Sequence, residues 1–266
     1  MSGKKDPELG KRIKQHLTML GLETVVSTPM LGNAAIALEK GVSAFLRDIG
    51  LDVTDPSIAD TPGRVADMFT HELCYGLDYN NFPKCTVTPN GQPVTITKTA
   101  DELRDRKDWS EFVSRLPIDA MQSVRANGST TFEYASGRVD EMVMVDTINT
   151  VSLCEHHFQT ISGVTHIAYI PGETLLGLSK FARVVNFFAR RPQVQERMTE
   201  QIYAALSFIL GTDDVAVMQV ATHNCMRARG AMDPHSKTTT SKMGGRFRSQ
   251  GELRTEFLMS IPKVSV

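Results

Sequence analysis

The stretch MVMVDTINTVSLCEHHFQTISGVTHIAYI, residues 142–170, holds two runs of apolar and β-branched residues with metal-binding side chains between them. The first run covers 142–153 and the second covers 164–170. Runs of this composition and length are typical of strands in a folded core. We therefore predict two antiparallel neighbours that pair around Ser162 and Gly163. The cluster Cys-Glu-His-His at 154–157 follows the first strand directly.

Beyond residue 170 the chain alternates between helical and strand patterns. Ser179 is a suitable N-cap for a helix, Pro192 ends that helix and begins a longer one, and Gly211 is placed to terminate the second. A third strand is predicted at 215–220, a loop and fourth strand within 236–248, and a last helix at 253–261. This order is typical of an α+β fold with an antiparallel sheet and helices on one face.

The N-terminal part, residues 1–84, has a helical pattern. One helix is predicted within 1–25, with Gly21 placed to stop it, and a second over 33–49. The run Asp60-Thr61-Pro62 predicts a third helix start, because a capping side chain precedes a proline in the first turn.

Residues 85–140 lack any spacing typical of a metal or catalytic site. We predict a hairpin around Pro89-Asn90-Gly91, an amphipathic helix over 101–116 and a turn at Asn127-Gly128. This segment is interpreted as an insertion of unknown role packed on a scaffold. The C-terminal region then covers 141–266.

The composition of the chain excludes several classes of protein. It has 266 residues, 41% hydrophobic and 22% charged, with a formal net charge of −1, so bulk charge gives no reason to expect nucleic-acid or membrane partners. No apolar run approaches the roughly 20 residues that span a bilayer, and the N-terminus lacks a secretory pattern. A cytoplasmic location is expected, where four cysteines favour metal binding or burial over disulfides.

Two short segments predict one metal site. Cys154 and His157 are three residues apart, so both can reach one ion from a tight turn, and Cys225 can supply a third ligand. His156 and His223 then remain near the metal as proton-transfer groups. Spacing alone leaves open a catalytic metal, a structural metal with four protein ligands, or buried cysteines without metal.

Cationic residues near the second of these segments suggest an anionic substrate. Lys180 lies at a predicted helix start, where backbone N–H groups favour anions, and Arg183 follows one turn later. Arg227 and Arg229 come just after Cys225. Taken singly, each cation is equally consistent with a solvated surface residue.

The chain resembles the GTP cyclohydrolase I family over about 50–84 and 140–260. The matching motifs are Asp60-Thr61-Pro62-Gly63-Arg64, Gly76-Leu77-Asp78-Tyr79, Phe82-Pro83-Lys84, Cys154-Glu155-His156-His157, Tyr169-Ile170-Pro171, Gly177-Leu178-Ser179-Lys180, Arg191-Pro192-Gln193-Val194-Gln195-Glu196-Arg197, His223-Asn224-Cys225 and Ala228-Arg229-Gly230. The resemblance implies the tunnelling fold, in which an antiparallel sheet carries two long helices on one face. It also implies a toroidal homodecamer with active sites between subunits.

The resemblance implies a reaction and assigns residues to it. GTP and water would give 7,8-dihydroneopterin triphosphate and formate, the first step of pterin and folate synthesis. Cys154, His157 and Cys225 would hold zinc, and water activated there would attack C8 of guanine. His223 would donate a proton to the purine ring, and His156 would assist proton transfer and ring opening.

The resemblance also implies the substrate contacts. Ser179 would help the ribose open and rearrange, and Gln195 with Glu196 would bind the guanine edge. The triphosphate would be bound by Lys180, Arg183, Arg229 and, from a neighbouring subunit, Arg64. The segment 85–140 departs from compact family members, and it could alter assembly, bind a partner or gate the site.

Three alternatives follow from the same residues. A non-catalytic nucleotide-binding scaffold with a structural zinc would need a fourth protein ligand. A related tunnelling-fold enzyme, the nitrile reductase of queuosine synthesis, uses a catalytic cysteine without zinc, and the presence of both His157 and Cys225 argues against it. A cyclohydrolase acting on a variant nucleotide such as dGTP is consistent with every motif above.

Overall fold

The computed structural model describes residues 4–24, 26, 33–99, 122–126 and 129–262. Its α-helices are α1 (Pro7–Met19), α2 (Ala34–Asp48), α3 (Thr61–Asp67), α4 (Ser179–Ala189), α5 (Gln195–Leu210), α6 (Asn224–Arg227), α7 (Gly245–Ser249) and α8 (Gly251–Ser260). Its strands are β1 (Val87–Pro89), β2 (Gln92–Thr99), β3 (Gln122–Ala126), β4 (Ser129–Ser136), β5 (Val143–Cys154), β6 (Thr160–Tyr169), β7 (Thr174–Leu176), β8 (Pro192–Gln193), β9 (Val215–His223) and β10 (Thr238–Met243).

The main sheet has the order β10-β9-β6-β5-β8, and all its neighbours are antiparallel except β5 and β8. The predicted pairing of β5 with β6 is confirmed, but the position of the connection was wrong. Ser162 and Gly163 lie inside β6, and the strands are joined by the turn that follows Cys154. Gly163 is needed in the strand because an added Cβ would lie 2.1 Å from the carbonyl oxygen of Val220 on β9.

One face of the sheet packs against α4, α5 and α1. The helix α5 turns a stripe of fully buried side chains toward the sheet, including Met198, Ile202 and Leu206, and ends at Gly211 with φ of +67°. These side chains share a core with Ile167 of β6. The two helices predicted to cover the sheet are therefore present.

The opposite face of the sheet is also covered, which the prediction of helices on one face did not include. Ala168 and Ala216 alternate with the residues of the main core along β6 and β9, so they point to the other side. Phe247 of α7 and Phe257 of α8 pack there and are fully buried. The C-terminal helices therefore close the second face.

The N-terminal helices differ in how they are held. In α1, Asp6 caps the helix by accepting from the Leu9 N–H at 3.0 Å, and Ile13 and Leu17 are fully buried in the main core. In α2, predicted over 33–49 with a broad apolar face, no side chain is buried. Ile36 and Phe45 are 59% and 60% exposed in the single chain, whereas Leu38, Val42 and Leu46 are half-buried.

The predicted hairpin around Asn90 was wrong. The strand β1 pairs with β7, in the register Val87↔Leu176, while β2 belongs to a separate three-stranded sheet with the order β2-β4-β3. The buried side chain of Asn90 fixes this arrangement, because its amide donates to the carbonyls of Val139 and Gly172, each at 2.8 Å. The helix predicted over 101–116 and the turn at 127–128 lie outside the described residues.

Two predictions of local structure around α4 and α5 were also wrong. Ser179 is the first residue of α4 and not its cap, since the N-cap position is Leu178 and no side chain caps that helix. Pro192 belongs to the two-residue strand β8, parallel to the end of β5, and α5 begins at Gln195. In the part of the chain that the structure describes, no helix combines the length and apolarity needed to cross a membrane.

Candidate active site

The tight turn between β5 and β6 presents the Cys-Glu-His-His cluster. The backbone N–H of Cys154 donates to Gln159 at 2.8 Å, and the N–H of Phe158 donates back to Cys154 at 2.8 Å. The N–H of Glu155 also donates to the carbonyl of Gln193 on β8 at 3.0 Å. Phe158 has φ of +51°, a left-handed conformation that a residue with a bulky side chain rarely adopts. The turn therefore has a defined shape that buries Cys154 and exposes the two histidines.

The strand register brings Cys225 to this turn. His223 is the last residue of β9 and pairs with Ile161, near the start of β6. The helix α6 begins immediately afterwards, and the amide of Asn224 donates to the hydroxyl of Thr160 at 3.1 Å. Residues distant in sequence thus meet because two neighbouring strands are aligned at the same end.

The ligand atoms of Cys154, His157 and Cys225 all lie within 4.8 Å of one another. Two sulfurs and one imidazole nitrogen form a donor set that suits a soft or borderline divalent ion such as zinc. Burial raises the pKa of the Cys225 thiol, the adjacent Cys154 raises it further, and the charge of Arg229 lowers it. A bound cation would favour the thiolate form of both cysteines. The three residues could therefore hold a metal ion with a position left open.

His223 lies at the edge of this group. Its Nε2 is 2.8 Å from Oε1 of Gln195, at the start of α5. Burial lowers the pKa of His223, and the carboxylate of Glu196 opposes that shift. His156 is exposed, with its ring centroid 6.3 Å from that of His157. Both non-ligand histidines of the prediction thus lie next to a predicted ligand.

Gln195 and Glu196, both predicted to bind the guanine edge, occupy different environments. Glu196 is exposed and lines a cavity of about 300 Å³ together with Arg197, Thr199, Glu200, Thr240 and Ser241. Gln195 is only 1% exposed, and its amide nitrogen is used by acceptors inside the protein. Of these two side chains, therefore, only that of Glu196 faces open space.

The predicted cations are distributed over several elements. Lys180 and Arg183 lie on α4. Burial raises the pKa of Cys85 to about 11, and the charges of these two cations oppose that shift. Arg229 follows α6 and acts on Cys225. Arg64 lies on α3, where its guanidinium pairs with Asp60 at 3.1 Å on the exposed surface. Ser179 is exposed at the start of α4.

One functional contact was missed by sequence reasoning. Arg197 of α5 donates to the carboxylate of Glu155, inside the turn between β5 and β6, and its Nε donates to Oε1 of Gln193 at 3.2 Å. The pair fixes the turn to the helix that also carries Gln195. All these residues stood in recognised motifs, but the spacing between the motifs gave no sign that they touch.

Comparison with known proteins identifies the family of this chain. The family model for GTP cyclohydrolase I matches residues 98–262. A protein of Aeromonas salmonicida (strain A449) called GTP cyclohydrolase 1 is 41% identical, with 92% of this chain and 93% of that protein covered. A protein of the same name from Vibrio cholerae serotype O1 is 41% identical, with 94% of this chain and 96% of that protein covered. Another from Tolumonas auensis is 38% identical, with 92% of this chain and 94% of that protein covered. The chain belongs to the GTP cyclohydrolase I family.

Proposed function

We propose that this chain is a zinc-dependent GTP cyclohydrolase I, which converts GTP and water into 7,8-dihydroneopterin triphosphate and formate. This would make it the entry enzyme for pterins and folates. The observation that supports the proposal most strongly is the convergence of Cys154, His157 and Cys225 within 4.8 Å. A half-buried histidine, His223, whose ring is held by Gln195, lies two residues from one of these ligands.

The three converging residues would hold zinc, since two thiolates and one imidazole match its preferred donors. Zinc bound there would act as a Lewis acid that makes water nucleophilic near neutral pH. The protein supplies the remaining requirements, which are a fixed turn, one open position and proton-transfer groups beside it.

The two histidines that are not ligands would move the protons. His223 is held by Gln195 and is half-buried, so its ring has a fixed orientation toward the site. It would protonate the purine ring as the bond to C8 weakens. His156 is exposed in the turn, and its Nε2 lies 3.9 Å from the Glu155 carboxylate. It would assist proton transfer and ring opening.

The substrate would be bound by residues on several sides of the site. Glu196, at the N-terminal end of α5, faces a cavity and would accept hydrogen bonds from the N–H groups of the guanine edge. The triphosphate would be bound by Lys180, Arg183, Arg229 and the Arg64 of a neighbouring subunit. Ser179, exposed beside Lys180, would assist opening of the ribose. Clustered cations suit a polyphosphate because each contributes charge-assisted hydrogen bonds.

The chain would work as a homo-oligomer. Several large apolar side chains of α2 and the residues after it are exposed in the single chain, among them Ile36 at 59%, Phe45 at 60% and Ile49 at 57%. Apolar patches of this kind are typical of subunit contacts. We propose a tunnelling fold assembled into a toroidal decamer, with active sites between subunits, in the cytoplasm. The segment 85–140 would decorate the outer edge of the ring.

The proposal is tested by incubating purified protein with GTP and measuring formate together with the fluorescence of the oxidised neopterin. A His223→Ala variant and a chelator-treated sample are compared with wild type, and dGTP is tested in parallel. We expect both products from the wild type and neither from the two controls, with activity restored by zinc in the chelated sample.

Two results would contradict the proposal. One zinc per chain without turnover of GTP or dGTP would indicate a scaffold with a structural metal. Turnover that survives both the chelator and the His223→Ala substitution would show that the converging side chains are not the catalytic site.

A further inference from the structure

The side chain of Gln195 is enclosed between α5, β9 and β10, and its orientation is determined by what surrounds it. Its Nε2 faces the carbonyl oxygen of Gln219 at 3.3 Å, that of Thr238 at 3.0 Å and the hydroxyl of Thr240 at 3.1 Å. Backbone carbonyls only accept hydrogen bonds, so the amide nitrogen must point toward them. The amide oxygen therefore points the other way, toward His223.

This orientation determines the protonation pattern of His223. The amide oxygen of Gln195 has no hydrogen to donate, and it lies 2.8 Å from Nε2 of the imidazole. Nε2 must therefore carry the hydrogen in the neutral ring.

A buried polar network holds Gln195 in place. The hydroxyls of Thr240 and Thr199 are 2.6 Å apart, and the Thr199 hydroxyl lies 2.7 Å from Oε1 of Gln219. The amide of Gln219 donates in turn to Thr165 at 2.8 Å. Thr165, Thr199 and Gln219 are each at most 2% exposed. Turning Gln195 toward a substrate would leave buried partners without hydrogen bonds, which is unfavourable.

We propose that Gln195 is a positioning residue that sets the ring orientation and the tautomer of His223, and that it is not a contact of the guanine base. The catalytic part of this inference rests on the proposed function, whereas the tautomer does not. Glu196, its neighbour in sequence, lines the cavity. In this proposal Glu196 would contact the base without help from the side chain of Gln195. Gln195 would thus orient the proton donor His223, and Glu196 would bind the substrate.

The tautomer is measured on wild-type protein labelled with ¹⁵N-histidine, at about pH 8.5, where an ordinary histidine is neutral. The His223 signals are assigned by their loss in a His223→Ala variant. We expect a protonated Nε2 and an unprotonated Nδ1 in the wild type, and a mixture of tautomers in Gln195→Met, which keeps the side-chain volume. A wild-type His223 protonated at Nδ1 would overturn the inference, and this readout needs no turnover of GTP.

Binding of GTP separates a positioning residue from a base contact. In the inactive His223→Ala background, we expect Gln195→Met to change the Kd for GTP by less than about twofold, because its partner is already gone. The matched control, Glu196→Ala in the same background, should weaken binding by about tenfold, the loss of a charged hydrogen-bond partner. Equal weakening by both substitutions would overturn the inference.

Turnover gives the third readout. With His223 present, Gln195→Met should lower kcat by about 10- to 100-fold, the range found when a group that orients a functional histidine is removed. A wild-type protein without GTP turnover would refute the proposed function, while the tautomer measurement would still test the inference.

Discussion

The four cysteines provide a test of the metal site that requires no substrate. Cys154 and Cys225 belong to the converging group, whereas Cys74 and Cys85 lie elsewhere in the protein. We expect a metal bound to the first two to protect them from alkylation and its removal by a chelator to expose them. Cys225, which is half-buried, should react before Cys154, which is 5% exposed.

The other two cysteines should stay unreactive in both states, and the structure gives the size of the effect. Burial raises the pKa of Cys74 to about 11 and that of Cys85 to about 11, from an ordinary value of 9.0. At pH 8 roughly one in a thousand of these side chains is thiolate, against about one in ten for an ordinary thiol. Ionisation alone therefore slows their alkylation by about 100-fold, and their rate should rise about tenfold for each pH unit.

The assay is alkylation of the folded protein at pH 8 with and without chelator, followed by mass spectrometry of each cysteine peptide. Protein unfolded in denaturant shows the rate of all four thiols without structural protection. The reasoning is refuted if Cys74 or Cys85 reacts as fast as Cys225 in the chelated folded protein. It is equally refuted if the chelator leaves the rates of Cys154 and Cys225 unchanged.

Two substitutions test the ion pairs that support the site. Glu23→Leu should lower the free energy of unfolding by about 2–4 kcal/mol at fixed protein concentration. The substitution removes a carboxylate that lies 3.5 Å from the fully buried Arg191 and accepts a hydrogen bond from the Tyr79 hydroxyl at 2.5 Å. A change below about 0.5 kcal/mol in urea unfolding would show that the pair adds no stability. Arg197→Met should lower kcat by about tenfold, since it frees Glu155 and the metal-binding turn. An unchanged kcat at unchanged zinc content would mean that the turn holds its shape without this contact.

Local spacing predicted which residues meet at the metal site, and the reason is geometric. Cys154 and His157 belong to one tight turn, so three residues of separation suffice to bring both side chains to one point. Cys225 joins them because the start of β6 lies in register with the end of β9, with Ile161 opposite His223. The order of these strands along the chain could be predicted from periodicity, whereas the pairing of β6 with β9 is seen only in the structure.

The environment of Gln195 could not be predicted in the same way. A polar residue at the start of a helix is ordinarily solvated, and here it is buried because β9 and β10 close over it. Thr165 and Gln219 are polar residues that are buried in the protein interior. They therefore depart from the usual alternation of buried apolar and exposed polar residues along a strand. Such a network depends on partners from four separate elements, which no local pattern reveals.

The wrong hairpin at Asn90 has a similar cause. Asparagine followed by glycine is a strong signal for a two-residue turn, and Gly91 does have φ of +97°. The strand before the turn nevertheless pairs with β7, which lies more than 80 residues further along the chain. Asn90 uses its side chain to hold Val139 and Gly172 instead of closing a hairpin. A turn signal identified the change of direction and not the pairing partner.

In the function proposed above, Cys154, His157 and Cys225 hold the metal on which the cyclohydrolase activity depends. The most direct measurement is a zinc titration of metal-free protein in which bound zinc and formate release from GTP are followed together. Wild-type activity should rise in proportion to bound zinc and level off at about one zinc per chain, and Cys225→Ser should bind zinc weakly and stay inactive. Full activity before zinc is added, or zinc bound at one per chain in Cys225→Ser with normal turnover, would contradict the claim.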